Sequence, residues 1–539
     1  MRVRPLLVAS SLAGLALAGL WCFTFLVFLP GRVGGLLLLR DALVLPDRVL
    51  GWQDAPHTVL QAYLMFYVPA VLLSLLAIGL WTASMRSRTA TVAAALLIGA
   101  AITGVLVGAF PYDGHTYQAS PVRGTAGAVF LFSLTCGAIL SGVGLRRSQR
   151  RGLGLFSLVL GLVMAWVAVV ASALGAFLGA KQPQLVALIT LQALAAVWYV
   201  GNGIGLAWLS RPGGRAPTPR RFPVPHVGKA LTALGTAITA VTLVIVGGYF
   251  GPSAAAQLTG RTQLGSLRIG TVDRTYRVYR PAQVAARPGL VIVLHGAYGS
   301  GLQMEVWTHF DSQADRLRWI AAYPDGILDG WDTFGDGPDW GQHPGVDDVQ
   351  FVAALIDHFE ATDQVDPDRV YVTGISRGAM MSYRLGCELA SRIAAIAPVA
   401  GNMATESGSA QGVGCRPAQP ISVLAIQGTA DPEVPFHGGR TDIIYAPFDD
   451  VIGVWRDVDA CNASSSAGTS GPVTTTTWLC RGGSAVETSV IAGGVHAWPG
   501  ARPTAQPLLL THPPDDALDA STAIADFFAS HRRASTPPA

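Results

Sequence analysis

The spacing of apolar and polar positions changes character near residue 250. Before that point apolar residues run on without interruption in seven stretches: Leu6 to Leu29, Val59 to Trp81, Thr91 to Phe110, Ala126 to Leu145, Leu153 to Leu178, Leu185 to Leu209 and Ala230 to Phe250. Each is close to the ~20 residues a helix needs to cross a hydrocarbon layer, and none contains Asp, Glu, Lys, Arg or His. The run Leu36 to Leu39 is cut off by Arg40 and Asp41 and reads as an interfacial piece. A signal peptide is the competing account of the first stretch, but the run is longer than an h-region and further spans follow it.

Beyond residue 250 the apolar runs are short and the period alternates between strand-like and helix-like. The pattern predicts a hairpin over "LRIGTVDRTYRVYRP", a buried strand "GLVIVLHG", a helix near Gln303 to Leu317, a strand "WIAAYP" and a helix near Asp348 to Phe359. There follow a strand and helix across "RVYVTGISRGAMMSYRLGCELA", strands in "IAAIAPVAG" and "ISVLAIQG", a helix near Phe448 to Val458, further β segments and a last helix near Ser521 to Ala529. Such alternation means a mostly parallel sheet covered on both faces. The expected organisation is an all-α polytopic membrane domain over residues 1–252, a linker over 253–265, an α/β domain over 266–533 and a tail over 534–539.

Composition supports the division. The chain is 50% hydrophobic and 13% charged, too apolar for an ordinary soluble protein, and its first Glu is Glu305. Basic residues collect in alternate loops of the first half: Arg2 and Arg4; Arg86 and Arg88; Arg146, Arg147, Arg150 and Arg151; then Arg211 to Lys229. By the positive-inside rule these loops and the N-terminus are cytoplasmic. Seven spans then place the α/β domain outside a plasma membrane. The net charge of +3 argues against a nucleic-acid partner. Cys22 and Cys136 fall within spans, whereas Cys387, Cys415, Cys461 and Cys480 form an even set suited to disulfides in an oxidising compartment. Three pairings are open, of which Cys387 with Cys415 and Cys461 with Cys480 each close a local loop. No metal-ligand spacing is present, and neither metal nor cofactor is expected.

The period changes across Gly374-Ile375-Ser376-Arg377-Gly378, a G-x-S-x-G corner. There flanking glycines let a serine stand in a strained turn at a helix N-terminus. Two further groups follow strands in the order this chemistry requires. Asp431 comes after "VLAIQGTA", and His496 lies in "IAGGVHAWPG". A serine hydroxyl needs an imidazole to take its proton, and the imidazole needs a carboxylate to hold its tautomer. The backbone N–H groups of Ala297, in "LHGA", and Arg377 are the expected oxyanion hole. Taken singly, Asp431 is also readable as a turn residue before Pro432, and His496 as a packed loop histidine. His437 lies too near Asp431 in sequence to be its partner, and His295 belongs to the oxyanion loop.

The motifs "VLHGAYGSG", "VDDVQFVAALID", "VDPDRVYVTGISRGAMMSYRLGCE", "QGTADPEVPFHGG" and "GGVHAWPG" together resemble the secreted polyhydroxybutyrate depolymerase and feruloyl esterase family of α/β-hydrolases, over about half the chain. The resemblance implies an α/β-hydrolase fold and serine esterase activity, with Ser376 as nucleophile, Asp431 as orienting acid and His496 as general base. It also implies that Asp347 and Asp348 start a helix. Position 377 departs from the family, which more often carries Asn there. Residues 327–346 are expected to form a rim or lid, in which Trp331 and Trp340 read either as clamps on an aromatic or sugar moiety or as packing residues; His295 and Trp498 are further candidate substrate contacts. The first half is similar, chiefly in "GAFPYDGHTYQ", to uncharacterised polytopic bacterial families, which implies no activity. The expected partners are an ester substrate and a lipid bilayer. The alternatives are acyl transfer or polyester depolymerisation on the same residues, and a membrane sensor or transporter whose outer domain binds ligand.

Overall fold

A computed structural model describes residues 3–27, 68–85, 87–109, 121–148, 150–178, 182–210, 233, 237, 252–297, 299–327, 330–333, 347–403, 414–441, 444–501 and 516–533. The chain divides into two compact units, the second beginning at Gly248.

The first unit is helical: α1 (Val3–Val27), α2 (Val68–Ala83), α3 (Arg88–Ala109), α4 (Pro121–Arg147), α5 (Arg151–Leu178) and α6 (Gln182–Leu209). Each helix packs on the next, and α1 also packs on α6, which closes a ring. Leu76, Leu97, Leu194, Trp198 and Leu206 are wholly buried in its core. Small residues set the helix separations. A Cβ added at Gly142 of α4 would lie 2.4 Å from the backbone N of Leu158 in α5. The buried polar pair is uncharged: Ser157 Oγ donates to Asn202 Oδ1 at 2.9 Å, and Asn202 Nδ2 donates to the Trp198 carbonyl at 2.9 Å.

Six of the seven apolar stretches therefore coincide with helices. The seventh, Ala230 to Phe250, and the run Leu36 to Leu39 lie outside the described residues, positions 233 and 237 apart. Among the described residues only two stretches, Val129–Arg147 and Arg151–Val170, are long and apolar enough to cross a membrane. The expectation of seven spans thus exceeds what the helices show by length and composition.

The second unit opens with a helix where the sequence suggested a linker. Residues 252–258 (α7) are helical because Ser253 has a buried destination: its Oγ donates to Glu305 Oε2 at 2.6 Å and accepts from Arg277 Nη2 at 2.9 Å. Glu305 also accepts from Arg277 Nε at 2.7 Å and from Thr262 Oγ1 at 2.6 Å. Such a fully bonded buried ion pair is expensive to break from one side, at about 3–5 kcal/mol.

The strands β1 (Thr262–Ile269), β2 (Val272–Tyr279), β3 (Leu290–Leu294), β4 (Ile320–Pro324), β5 (Val370–Ile375), β6 (Ala395–Val399) and β7 (Ser422–Gly428) lead to a small hairpin, β8 (Gly439–Arg440) and β9 (Ile444–Tyr445). They are followed by β10 (Ser466–Ser470), β11 (Val473–Leu479) and β12 (Ala485–Ile491). The main sheet runs β1-β2-β4-β3-β5-β6-β7-β12-β11-β10. The six strands from β4 to β12 in that order are parallel, and an antiparallel pair flanks them on each side.

The helices are α8 (Gly301–Thr308), α9 (Phe310–Leu317), α10 (Asp348–Asp363), α11 (Arg377–Glu388), α12 (Phe448–Val458) and α13 (Ala520–Ser530). The single helix expected near Gln303 to Leu317 is broken at His309, whose left-handed backbone (φ 49, ψ 31) ends α8 and starts α9. Alternate strand residues feed two cores. Leu290, Ile292, Leu294, Val370 and Val372 pack with α10, α11 and Trp455 of α12 on one face. Val291, Val293, Tyr371 and Ile375 pack with Met304, Phe310 and Phe528 on the other. This period of two is why buried parallel strands read as unbroken apolar runs.

Asp347 caps α10, accepting from Gln350 N at 2.8 Å. Asp348 is buried against Arg274 and accepts from Asp332 N at 2.6 Å. Both expected disulfides are present, Cys387–Cys415 and Cys461–Cys480.

Candidate active site

The corner between β5 and α11 is built by contact. A Cβ at Gly374 would meet the Gly378 carbonyl oxygen at 2.7 Å, and one at Gly378 would meet the backbone oxygens of Leu294 and His295 at 2.5 and 2.6 Å. Only glycine allows the elbow to lie this close to the end of β3. Ser376 takes φ 57 and ψ −120, a strained backbone for a residue with a Cβ. It sits at the N-cap of α11, with its own N–H donated to Val399 O at 3.0 Å. It is only partly buried.

Two strands along the sheet, β7 ends in a loop that carries Asp431. The loop after β12 carries His496. A Cβ at Gly428 would meet the Gly494 oxygen at 2.3 Å, and this contact locks the two loops together. Ala430 N donates to Gly494 O at 2.9 Å, and Gly493 N to Thr429 Oγ1 at 2.8 Å.

The outcome is a hydrogen bond of 2.8 Å between His496 Nδ1 and Asp431 Oδ2, both side chains buried. Asp431 also accepts at Oδ1 from Glu433 N (2.9 Å) and Val434 N (2.8 Å), and at Oδ2 from Gln427 Nε2 (3.2 Å). With its lone pairs so occupied the carboxylate is held in one rotamer, and an ionised Asp431 selects the imidazole tautomer with hydrogen on Nδ1. Proton transfer then falls to Nε2. A second carboxylate, Glu433 Oε2, stands 3.5 Å from Nε2.

Sequence reasoning missed Gln427 and Glu433. The first was signalled by a lone amide in an otherwise apolar strand. The second had no local signal, because its position depends on the fold bringing residues 433 and 496 together.

Three of the expected substrate contacts do another job. His295 is fully buried. Its Nδ1 lies 2.7 Å from Gly296 O, and its Nε2 accepts from Gly326 N at 2.8 Å, so it fastens the loop after β3 to the end of β4. Trp331 is fully buried, packs on His295 with ring centroids 4.8 Å apart and donates to His295 O at 2.8 Å. Trp498 is 1% exposed and donates to Ser521 Oγ at 3.0 Å. A ring with no accessible face cannot stack on a substrate, so these residues support the site from behind. Trp340 lies outside the described residues.

Arg377, where the family more often has Asn, is also buried, and its Nη1 donates to Trp331 O at 3.3 Å. The guanidinium therefore ties the elbow to residues 330–333. Arg384 ties α11 to the same segment, donating to Asp332 O at 2.8 Å. Ala297 begins a turn after β3, and Gly296 lies close enough to the elbow that a Cβ there would stand 3.4 Å from Ser376 Cβ. Among the described residues no cluster of His, Cys, Asp or Glu could hold a metal ion.

No protein-family model matches the chain. NocK of Nocardia uniformis subsp. tsuyamanensis, named as an esterase, is 33% identical over 273 residues, which cover 46% of this chain and 76% of NocK. Feruloyl esterase B of Piromyces equi is 32% identical over 217 residues, 39% of either chain. Among solved structures, an acetyl xylan esterase from Aspergillus awamori aligns over 50% of this chain and 99% of its own, with 15% identity and a TM-score of 0.36. The identity with NocK over three quarters of that protein shows that this chain belongs to the same family of esterases.

Proposed function

We propose that the protein is a membrane-anchored serine esterase whose α/β unit lies on the extracytoplasmic side and works through Ser376, His496 and Asp431. The observation that carries the proposal is the 2.8 Å bond from His496 to Asp431 at the same carboxyl end of the parallel strands as a strained serine at a helix N-terminus.

The chemistry follows from the groups. His496 Nε2 takes the Ser376 hydroxyl proton as Oγ bonds to the ester carbonyl carbon. Negative charge moves to the carbonyl oxygen, where the backbone N–H groups of Ala297 and Arg377 and the N-terminus of α11 favour it. The carbon–oxygen bond to the alcohol then breaks, and the proton on Nε2 passes to the departing oxygen. Water repeats the sequence on the acyl-enzyme and restores Ser376. Asp431 stabilises the imidazolium that forms in both halves.

The relatives' names point to feruloyl and acetyl-sugar esters, and small or envelope-associated esters of this kind are the substrate class proposed here. Two disulfides in the α/β unit support an oxidising compartment. The apolar helices of the first unit, with basic residues gathered in alternate loops, support an anchor with a cytoplasmic N-terminus.

Ser376→Ala in the full chain is expected to lower kcat/KM on p-nitrophenyl acetate by about 10⁴-fold or more and to abolish labelling by a fluorophosphonate. Undiminished turnover removes the assignment. A membrane-impermeant fluorophosphonate is expected to label Ser376 in intact spheroplasts. Labelling only after lysis overturns the sidedness.

A further inference from the structure

Glu433 has no part in the triad, yet its Oε2 stands 3.5 Å from the imidazole nitrogen that must hand a proton to the departing alcohol. Its backbone is fixed there twice: its N–H donates to Asp431 Oδ1 at 2.9 Å, and its carbonyl accepts from Thr441 Oγ1 at 3.0 Å. Unlike Asp431, whose side chain is fully buried, the Glu433 side chain is 37% exposed. The two carboxylates thus flank one ring in different ways. Asp431 reaches Nδ1 from inside the protein, and Glu433 reaches Nε2 from the solvent side.

We infer that Glu433 is a specificity-determining residue that selects the alcohol half of the ester by charge, favouring alcohols with positive charge near the ester oxygen and disfavouring anionic ones. The inference rests on the triad reading. In acyl transfer to Ser376, the bond between carbonyl carbon and alkoxy oxygen breaks while Nε2–H protonates that oxygen. Whatever the alcohol carries on its next few atoms is therefore held within a few ångströms of the Glu433 carboxylate. A cation there is attracted and an anion repelled, and donor hydroxyls can bond to the same oxygens. At such separations one charge pair near a protein surface changes a rate by about tenfold or more. By microscopic reversibility the same preference applies to an alcohol entering to capture the acyl group.

The test uses the full chain and three acetate esters of similar size: acetylcholine, its neutral isostere 3,3-dimethylbutyl acetate, and the anionic acetate ester of glycolate. The wild type is expected to show kcat/KM falling in that order, with the cationic ester favoured over the anionic by about tenfold or more. Glu433→Gln should reduce that ratio by about tenfold, and Glu433→Lys should reverse it. A wild-type enzyme that treats the three esters alike overturns the inference without need of any variant. So does a ratio unchanged in both variants. Ser376→Ala separates the two readings. If it retains turnover the triad itself falls, whereas loss of turnover on all three esters together with a charge-blind wild type removes only the role of Glu433.

Discussion

The two units bury polar groups in opposite ways. Among the described residues, the buried polar side chains of the helical unit are Ser, Thr and Asn beside the phenol of Tyr199, with no Asp, Glu, Lys, Arg or His between them. The α/β unit buries Arg274, Arg277, His295, Glu305, Asp348, Asp366, Arg377, Asp431, Asp459 and His496. Their outer faces differ as well. Val71, Ile102, Phe132 and Val169 of the helical unit are each more than half exposed, whereas the large apolar side chains of the six parallel strands are turned into the two cores of the α/β sheet. A charge is tolerated inside a protein only where a paired network receives it. The α/β fold, with loops converging at strand ends, provides such networks. A ring of helices has few backbone donors to spare in its interior, because past the first turn each N–H is already used along its own helix.

The glycines supply the test with the largest expected effect. Both units use glycine at close approaches, but in the α/β unit the approach sets the backbone of Ser376, the proposed nucleophile. Gly378→Val places a Cβ within 2.6 Å of two backbone oxygens and is expected to move Ser376 enough to lower kcat/KM by about 10²-fold or more. The check is turnover of p-nitrophenyl acetate by protein shown to be folded by its thermal transition.

The second test is pH. Burial pushes the carboxyl of Asp459 up to about 7, against the opposing hydrogen bond from Ile421 N to its Oδ1. Because its folded pKa lies above the unfolded value, the fold favours the protonated acid. Stability from this group is fully present below about pH 4 and is lost as pH rises towards 7. Asp459→Asn should therefore match the wild type near pH 4 and exceed it at pH 8, by on the order of 3 kcal/mol. This would be read from denaturant unfolding of the α/β unit, and equal stabilities at pH 8 would show that the charged form is accommodated. With no buried carboxyl or imidazole among its described residues, the helical unit should unfold without that dependence between pH 4 and pH 8.

The smallest effect concerns coupling. Gly142→Val presses a side chain onto the backbone of α5 and should cost the helical unit about 1–3 kcal/mol, leaving kcat/KM within about twofold. A large loss of activity would join the units energetically and break the comparison.

What the sequence made legible was local or ordered. Strand and helix alternation placed nearly every α/β element, because buried parallel strands and amphipathic helices have different periods. The pairing of Asp431 with His496, and of Cys387 with Cys415, could be proposed because each follows a recognisable element. Properties set by distant neighbours were hidden. Trp331 and Trp498 resembled stacking platforms, since nothing in a run of residues tells which face of a ring is covered. The break at His309 was hidden because no glycine marks its positive φ. Residues 252–258 read as a linker because their helix depends on Ser253 meeting Glu305, 52 positions away.

The backbone of Ser376 has a consequence for how the enzyme can change over generations. At φ 57 a side chain costs on the order of 1–3 kcal/mol that glycine would not. Replacement by glycine thus relaxes the fold while removing the hydroxyl on which the proposed mechanism depends. Selection for stability alone would erode the elbow, so a lineage that loses its substrate is expected to lose the serine first and keep a better-folded, silent α/β unit.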